Sequence, residues 1–219
     1  MPAQLFHDGG QTPMTSRAAG IILAGGSSRR MGEDKNRLIL GDRTLLAHVI
    51  GRVAMVCEPV VVIARSSEEY PDCGAAVVAD RWPGGGPLGG LITGLETVQA
   101  PRAGAASCAA VVAGDLPFVQ PAVLSGLLTL RAGWDAVVPE ISGLPQPHCA
   151  VYAKAAASVA SAVFDAGGRS LRELLDAPGL RVLYVKDARL REWDPDLRSF
   201  LNINTPEDLD LAREMLERP

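Results

Sequence analysis

Leu23-Ala24-Gly25-Gly26-Ser27-Ser28-Arg29-Arg30-Met31-Gly32-Glu33-Asp34-Lys35 follows directly on an apolar run, residues 18–23, that reads as a buried strand. A strand that opens into paired glycines, two arginines and a lysine suits a polyphosphate. Without a Cβ, backbone N–H groups approach an anion closely, and the cations neutralise charge that backbone dipoles cannot. The plain alternative is a surface loop whose glycines only make a turn. Spacing excludes two common phosphate loops. The P-loop needs Gly-Lys followed by Ser or Thr, whereas Lys35 lies between Asp34 and Asn36. The dinucleotide fingerprint needs glycines at its first, third and sixth positions with a helix at once. Here Arg37-Leu38-Ile39-Leu40-Gly41-Asp42 reads instead as a short strand and turn. The stretch is therefore a longer loop that wraps its ligand.

Outward from this loop, strand-like and helical runs alternate, the βαβ pattern of a mostly parallel sheet covered on both faces. Strands are expected at 20–23, 59–64, 75–79, 109–113, 135–139 and 181–185, with a further one at 147–153. Most are continuously apolar, as strands buried on both faces are. Helices are expected at 44–54, 87–98, 121–130, 155–165, 170–175 and from Thr205 onward. The last has Pro206 at its first position and a capping-box-like Asp208. It is expected to bury Leu209, Ala212, Met215 and Leu216. The fold class is α/β, a three-layer α/β/α sandwich with a Rossmann-like sheet. Ligands of such sheets sit beyond the carboxyl ends of the strands. The loop, Asp80 with the glycines after it, and Asp115 all follow strands, so they converge on one edge.

Asp115 ends an apolar strand, a costly place for a carboxylate unless it is paired or metal-bound. Magnesium takes oxygen ligands, often only one or two carboxylates, with phosphates and waters completing its shell. Asp115 is thus the metal candidate; a helix cap before Pro121 or a turn beside Pro117 is the other reading. Lys35 and Arg30 are the candidates for neutralising phosphate charge. Asp80-Arg81 also has the form of a local ion pair. The 87–98 helix begins in glycine-rich backbone whose N–H groups can face a ligand. Gly167-Gly168-Arg169-Ser170-Leu171-Arg172 is a glycine-flanked basic turn, a phosphate contact or a simple αL turn. Asn202 and Asn204 are read as pointing to opposite faces of an extended segment. One of them, Asn202 in the first assignment, then faces the metal or the acceptor while the other fixes the turn before Thr205. His148 lies on the strand of the acceptor half, and Trp82, Trp134 and Trp193 read as core or rim residues.

Leu23-Ala24-Gly25-Gly26, Arg30-Met31-Gly32 and Asp34-Lys35 together resemble the signature of the GT-A-like nucleotidyltransferases, and within them of the molybdenum cofactor guanylyltransferases, the MobA family. Asp80 before Gly86-Pro87-Leu88-Gly89-Gly90 is similar to the family's nucleotide-base segment, with Gly89 for the usual alanine. Ala113-Gly114-Asp115-Leu116-Pro117 is similar to its metal-binding aspartate, and Asn202-Ile203-Asn204-Thr205-Pro206-Glu207 to its C-terminal segment. The blocks keep the family's order from about Gly20 onward. Where the family often has an asparagine after the second strand, this chain has Ile63-Ala64-Arg65, so no residue is carried over there.

The resemblance implies transfer of GMP from GTP to molybdenum-molybdopterin with release of pyrophosphate, dependent on Mg²⁺. Leu23, Ala24, Gly25, Gly26, Lys35, Asp80, Gly86 and Asp115 would bind the nucleotide, with Lys35, Arg30 and Asp115 catalytic. Arg169, Asn202 and Asn204 would bind the acceptor. Cytidylyl transfer to the same acceptor, transfer to another phosphorylated metabolite, and a non-catalytic cofactor carrier are the competing readings. No catalytic base is required, because a phosphate monoester has its second pKa near 6 and is already nucleophilic. Transient contact with molybdoenzymes or other cofactor-biosynthesis proteins is the partner expectation.

Bulk properties agree. The chain of 219 residues suits one α/β domain, expected over 18–219, its first part binding the nucleotide and its second the acceptor. Residues 1–17 read as a disordered tail. A net charge of −4 argues against a general nucleic-acid binder. No apolar run is long enough to span a bilayer and no signal peptide is evident, so a cytoplasmic protein is expected. The four cysteines are widely spaced, without a Cys-x-x-Cys pair, which argues against zinc and against a disulfide framework.

Overall fold

The structure is a computed structural model that describes residues 18–25, 34–99 and 106–217. The expected tail at 1–17, and with it Gly26 and Arg30 of the loop, lies outside the described residues. Ten strands are found among them: β1 (Ala19–Leu23), β2 (Ile39–Leu40), β3 (Arg43–Thr44), β4 (Val60–Ala64), β5 (Ala76–Ala79), β6 (Cys108–Ala113), β7 (Ala136–Ile141), β8 (Leu144–Pro145), β9 (Cys149–Ala153) and β10 (Val182–Lys186). The helices are α1 (Leu45–Ala54), α2 (Gly86–Gln99), α3 (Pro121–Thr129), α4 (Ala156–Asp165), α5 (Leu171–Leu175), α6 (Asp187–Leu190) and α7 (Pro206–Glu217). Each expected strand and helix is present within a few residues of its expected bounds. The strand and turn after Lys35 is the hairpin β2–β3.

The main sheet runs β10-β7-β9-β6-β1-β4-β5, with β8 beside β7. Pairing is parallel except at β9, which is antiparallel to both β6 and β7, and at β8. β1 is central: Ile22 pairs with Val62 of β4 and with Val112 of β6. Side chains alternate between the two faces, as the period of two demands. On one face Ile22, Val62 and Val112 pack with Leu46, Val49 and Val53 of α1 and Leu124 and Leu127 of α3. On the other, Ile21, Val61 and Val111 pack with Leu91 and Leu95 of α2, Ala160 of α4 and Leu174 of α5. The result is a mostly parallel sheet between two helical layers. The edge strands β5 and β10 are only partly covered, which is where the expectation of continuous burial fails.

A third, smaller cluster sets the site apart from the sheet. Leu40 of the hairpin, Phe118 from the segment after Asp115, Ile203, and Leu209 and Ala212 of α7 pack together. This buries the C-terminal segment against the loop that carries Asp115. The α7 capping is as expected: Asp208 Oδ2 accepts from Thr205 N–H at 2.9 Å while Thr205 Oγ1 accepts from Asp208 N–H at 3.2 Å. Leu209 and Ala212 are buried, but Leu216 is 40% exposed. The helix rests on the small hairpin rather than on the sheet, so its apolar stripe is covered only along part of its width.

Candidate active site

Because parallel strands share a direction, β1, β4, β5 and β6 all deliver their next residues to one edge: Ala24-Gly25, Arg65, Asp80 and Gly114-Asp115. β9 runs the other way, so it brings its first residues there instead, and His148 arrives beside Asp115. The backbone continues the sheet past the strand ends. Gly114 N–H donates to Leu23 O at 3.0 Å, Ala24 N–H to Ile63 O at 2.9 Å, and Ala113 N–H to His148 O at 2.8 Å.

A cavity of ≈ 240 Å³ opens at this edge, lined among others by Gly25, Lys35, Gly114, Asp115, His148 and Asn202. Lys35 Nζ donates to Asp115 Oδ2 at 3.2 Å and to Asn204 Oδ1 at 2.7 Å. Three segments far apart in the chain thus meet on one ammonium. The side chains of Lys35 and Asp115 are 20% and 22% exposed, so they are partly desolvated yet reachable by a ligand. Ile203 N–H donates to Asp115 O at 3.0 Å, which pins the C-terminal segment to the aspartate loop.

The asparagine pair corrects the sequence reading. Ile203 is fully buried in the third cluster, and its two neighbours therefore turn together toward the opposite side. Residues i and i+2 of an extended segment share a face. Asn202 lines the cavity and Asn204 bonds Lys35. Asn204 also takes part in the turn before α7, through its N–H to Asp208 Oδ2 at 2.9 Å.

A second cavity of ≈ 510 Å³ adjoins the first, sharing Gly25 and Pro87 and lined further by Arg65, Asp80, Gly84 and Gly86. Asp80 Oδ1 accepts from the Thr93 hydroxyl at 2.9 Å and from Trp82 N–H at 3.0 Å. Arg81 does not form the local ion pair with Asp80; it reaches Glu96 of α2 instead. Arg65, at the position where no residue was carried over, is tied to Glu69 by Nε–Oε1 at 2.9 Å.

Gly86 begins α2 with φ +66°, and a Cβ there would sit 2.5 Å from Arg169 O. That carbonyl accepts from Leu88 N–H at 3.1 Å, so one first-turn donor of α2 is spent within the protein rather than on a ligand. Arg169 Nη1 donates to Phe164 O at 2.9 Å and Gly168 O at 2.7 Å, and its guanidinium lies 4.1 Å over the Phe164 ring. Trp82 packs on the same ring, centroids 5.1 Å apart, and is 38% exposed.

His148, which the sequence places in the acceptor half, lines the cavity; Asn36 and Tyr70 escape the sequence reading. The His148 imidazole is pulled below its ordinary value by burial, opposed by the Asp115 charge, so it is neutral at pH 7. Asn36 and Tyr70 lie beneath Lys35 in a buried hydrogen-bonded set. Their signal in the sequence is slight: a polar residue next to the lysine, and a lone tyrosine in a loop.

In chemical terms the site offers an ammonium, one carboxylate and asparagine amides at a cavity that adjoins a larger one. Among the described residues no three His, Cys, Asp or Glu side chains form a metal cage. An oxygen set of this kind suits a hard cation that keeps waters and substrate oxygens in its shell. The MobA-like NTP transferase domain family matches residues 20–182. The chain belongs to this family. It is a nucleotidyltransferase, and its matched span contains both cavities apart from Asn202. The chain is 38% identical over 213 residues to the probable molybdenum cofactor guanylyltransferase of Chloroflexus aggregans, covering 93% of this chain and 97% of that one. It is 32% identical over 209 residues to the probable molybdenum cofactor guanylyltransferase of Natranaerobius thermophilus, covering 93% and 98%. The crystal structure of molybdopterin-guanine dinucleotide biosynthesis protein A from Archaeoglobus fulgidus has the same fold, with a TM-score of 0.77 at 30% identity. It covers 92% of this chain and 100% of that one.

Proposed function

We propose that the protein transfers GMP from GTP to the phosphate of molybdenum-bound molybdopterin, releasing pyrophosphate. The observation that carries this reading is the meeting of Lys35, Asp115 and Asn204 at a cavity that shares Gly25 and Pro87 with a second, larger one. The relatives named as guanylyltransferases supply the guanine and the acceptor. The nucleoside occupies the larger cavity beside Asp80 and Gly86, and Leu23, Ala24 and Gly25 lead from it to the triphosphate; Gly26 is a further nucleotide contact in this reading. The acceptor lies on the side of Asn202, Asn204 and the Arg169 turn. The domain spans 18–219 and works on small molecules in the cytoplasm.

The acceptor phosphate oxygen attacks the α-phosphorus, and the bond to the β-phosphate oxygen breaks in line. The electron pair leaves with pyrophosphate. Lys35, with Arg30 of the loop, neutralises the charge that develops on the leaving group. A charge-assisted hydrogen bond of this kind is worth about 1.5–3 kcal/mol, and each ~1.4 kcal/mol is tenfold in rate. Asp115, with Asn202 lining the same cavity, would hold Mg²⁺, which when bound supplies charge neutralisation at the phosphates. The acceptor phosphate is already nucleophilic near neutral pH, so the reaction asks for no base.

Pyrophosphate release measured with each nucleoside triphosphate and each acceptor tests the assignment. GTP with molybdenum-molybdopterin and Mg²⁺ is expected to turn over. Turnover with CTP and none with GTP would overturn the guanylyl reading. Full biological activity in both Lys35→Ala and Asp115→Ala would overturn catalysis in favour of a carrier.

A further inference from the structure

Lys35 is a long, flexible side chain, so where its ammonium lies depends on how firmly its backbone is held. Both of its neighbours are locked. Asn36 is 8% exposed, and its Nδ2 donates to Ala24 O at 2.8 Å and to Tyr70 Oη at 2.9 Å. The Tyr70 hydroxyl donates to Asp34 Oδ2 at 2.7 Å, while Asp34 Oδ1 accepts from Asn36 N–H at 3.1 Å. Burial, and then the bond to Asp34, raises the Tyr70 phenol above its ordinary value, so it remains a donor.

The seat of Asn36 is closed from the third side by Gly114. A Cβ on Gly114 would fall 2.4 Å from Asn36 Oδ1. Asn36 therefore touches the residue that follows β1, the loop between β4 and β5, and the residue before Asp115. Both amide hydrogens of Asn36 are used within this set, which leaves it none for a substrate. It is built to hold, and what it holds is the residue beside it.

We infer that Asn36 and Tyr70 are positioning residues, which set the Lys35 ammonium against Asp115 and so against the triphosphate. The inference rests on the nucleotidyl-transfer reading of Lys35. Gly114 belongs to the same device, since any larger residue there displaces Asn36.

A double-mutant cycle separates positioning from general support of the fold. Asn36→Ala, Tyr70→Phe and Lys35→Ala, singly and with Lys35→Ala combined with each of the others, are compared for kcat and KM in pyrophosphate release. The nucleotide is whichever one supports turnover, and Tm is recorded for every variant. Asn36→Ala is expected to lower kcat about tenfold, and Tyr70→Phe about threefold, with smaller changes in KM. In the Lys35→Ala background each is expected to cost less than twofold. Equal losses in both backgrounds, or no loss in either single variant, would overturn the inference while leaving the role of Lys35 intact. Full activity of Lys35→Ala would overturn that role first, and the positioning with it. If Asn36→Ala does not fold, Tyr70→Phe, which keeps the ring and deletes only the hydroxyl, carries the same cycle.

Discussion

Two basic residues of glycine-containing turns, Lys35 and Arg169, read alike in the sequence and behave differently in the fold. Lys35 reaches across the chain to Asp115 and Asn204, residues 80 and 169 positions away. Arg169 curls onto its own turn, with Nη1 on the carbonyls of Phe164 and Gly168 and its plane over the Phe164 ring. The difference lies in what surrounds the two stems. Lys35 is flanked by two hydrogen-bonded neighbours, Asp34 and the buried Asn36, and lines a cavity between strand ends. Arg169 precedes a five-residue helix at an exposed corner, where the nearest acceptors are its own neighbours. A cation held at long range is available to a ligand bridging the same elements. One satisfied locally contributes chiefly through the backbone it stabilises.

The sharpest way to break this contrast is Asp115→Asn. The substitution keeps the shape, removes the Lys35 counter-charge and removes the carboxylate proposed to hold Mg²⁺. A fall in kcat of roughly 10³-fold with little change in Tm is expected, at the upper end for loss of one preorganised charged group. A rate near wild type would deny the corner its function. Next is Gly86→Ala, which joins the two regions. It forces alanine to a φ of +66° and drives a Cβ against Arg169 O. A stability loss of about 2 kcal/mol is expected from the strained backbone alone; an unshifted urea midpoint would show the α2 start to be pliable. Arg169→Ala should raise the acceptor KM only about fivefold, the ~1 kcal/mol typical of an exposed charge, with the nucleotide KM unchanged. A loss as large as that of Asp115→Asn would make the two cations equivalent.

The smallest expected effect is a pH dependence at the Arg169 turn. The Glu173 carboxylate is held down to about 2, first by the Arg169 backbone N–H and then by the Ser170 hydroxyl and N–H. Its unfolded value is about 4.3. A group depressed on folding contributes stability that is full above the unfolded value and lost as pH falls toward the folded one. Thermal unfolding of the wild type between pH 4.5 and 2 should therefore lose an increment that Glu173→Gln never has. Identical slopes would show that the capping box does not titrate with folding.

The elements and the edge they share were legible because hydrophobic period and strand–helix alternation are local properties. Thr205 and Asp208 capped α7 as their spacing predicts, and the apolar runs became sheet strands with few shifts at the ends. The site was legible only in part. Asp115 and Lys35 stand out because a charge at the end of an apolar strand or in a glycine loop is conspicuous. Asn202 and Asn204 were placed on opposite faces; the burial of Ile203 puts both on the same one. Asn36 and Tyr70 carry no local signature, since their partners lie in other segments of the chain.

By itself the sequence determined the layered α/β order, the strand-end position of the glycine-rich loop and the exclusion of the P-loop and dinucleotide fingerprint there. These follow from side-chain period, glycine spacing and charge, which act over a few residues. The tertiary structure alone decided which cation meets which carboxylate, and that the antiparallel β9 brings His148 to the site. It also decided that Asn36 rather than a substrate takes the space beside Gly114. Such pairings depend on strand order and direction, because burial rewards only the partners that the finished sheet places within hydrogen-bond reach.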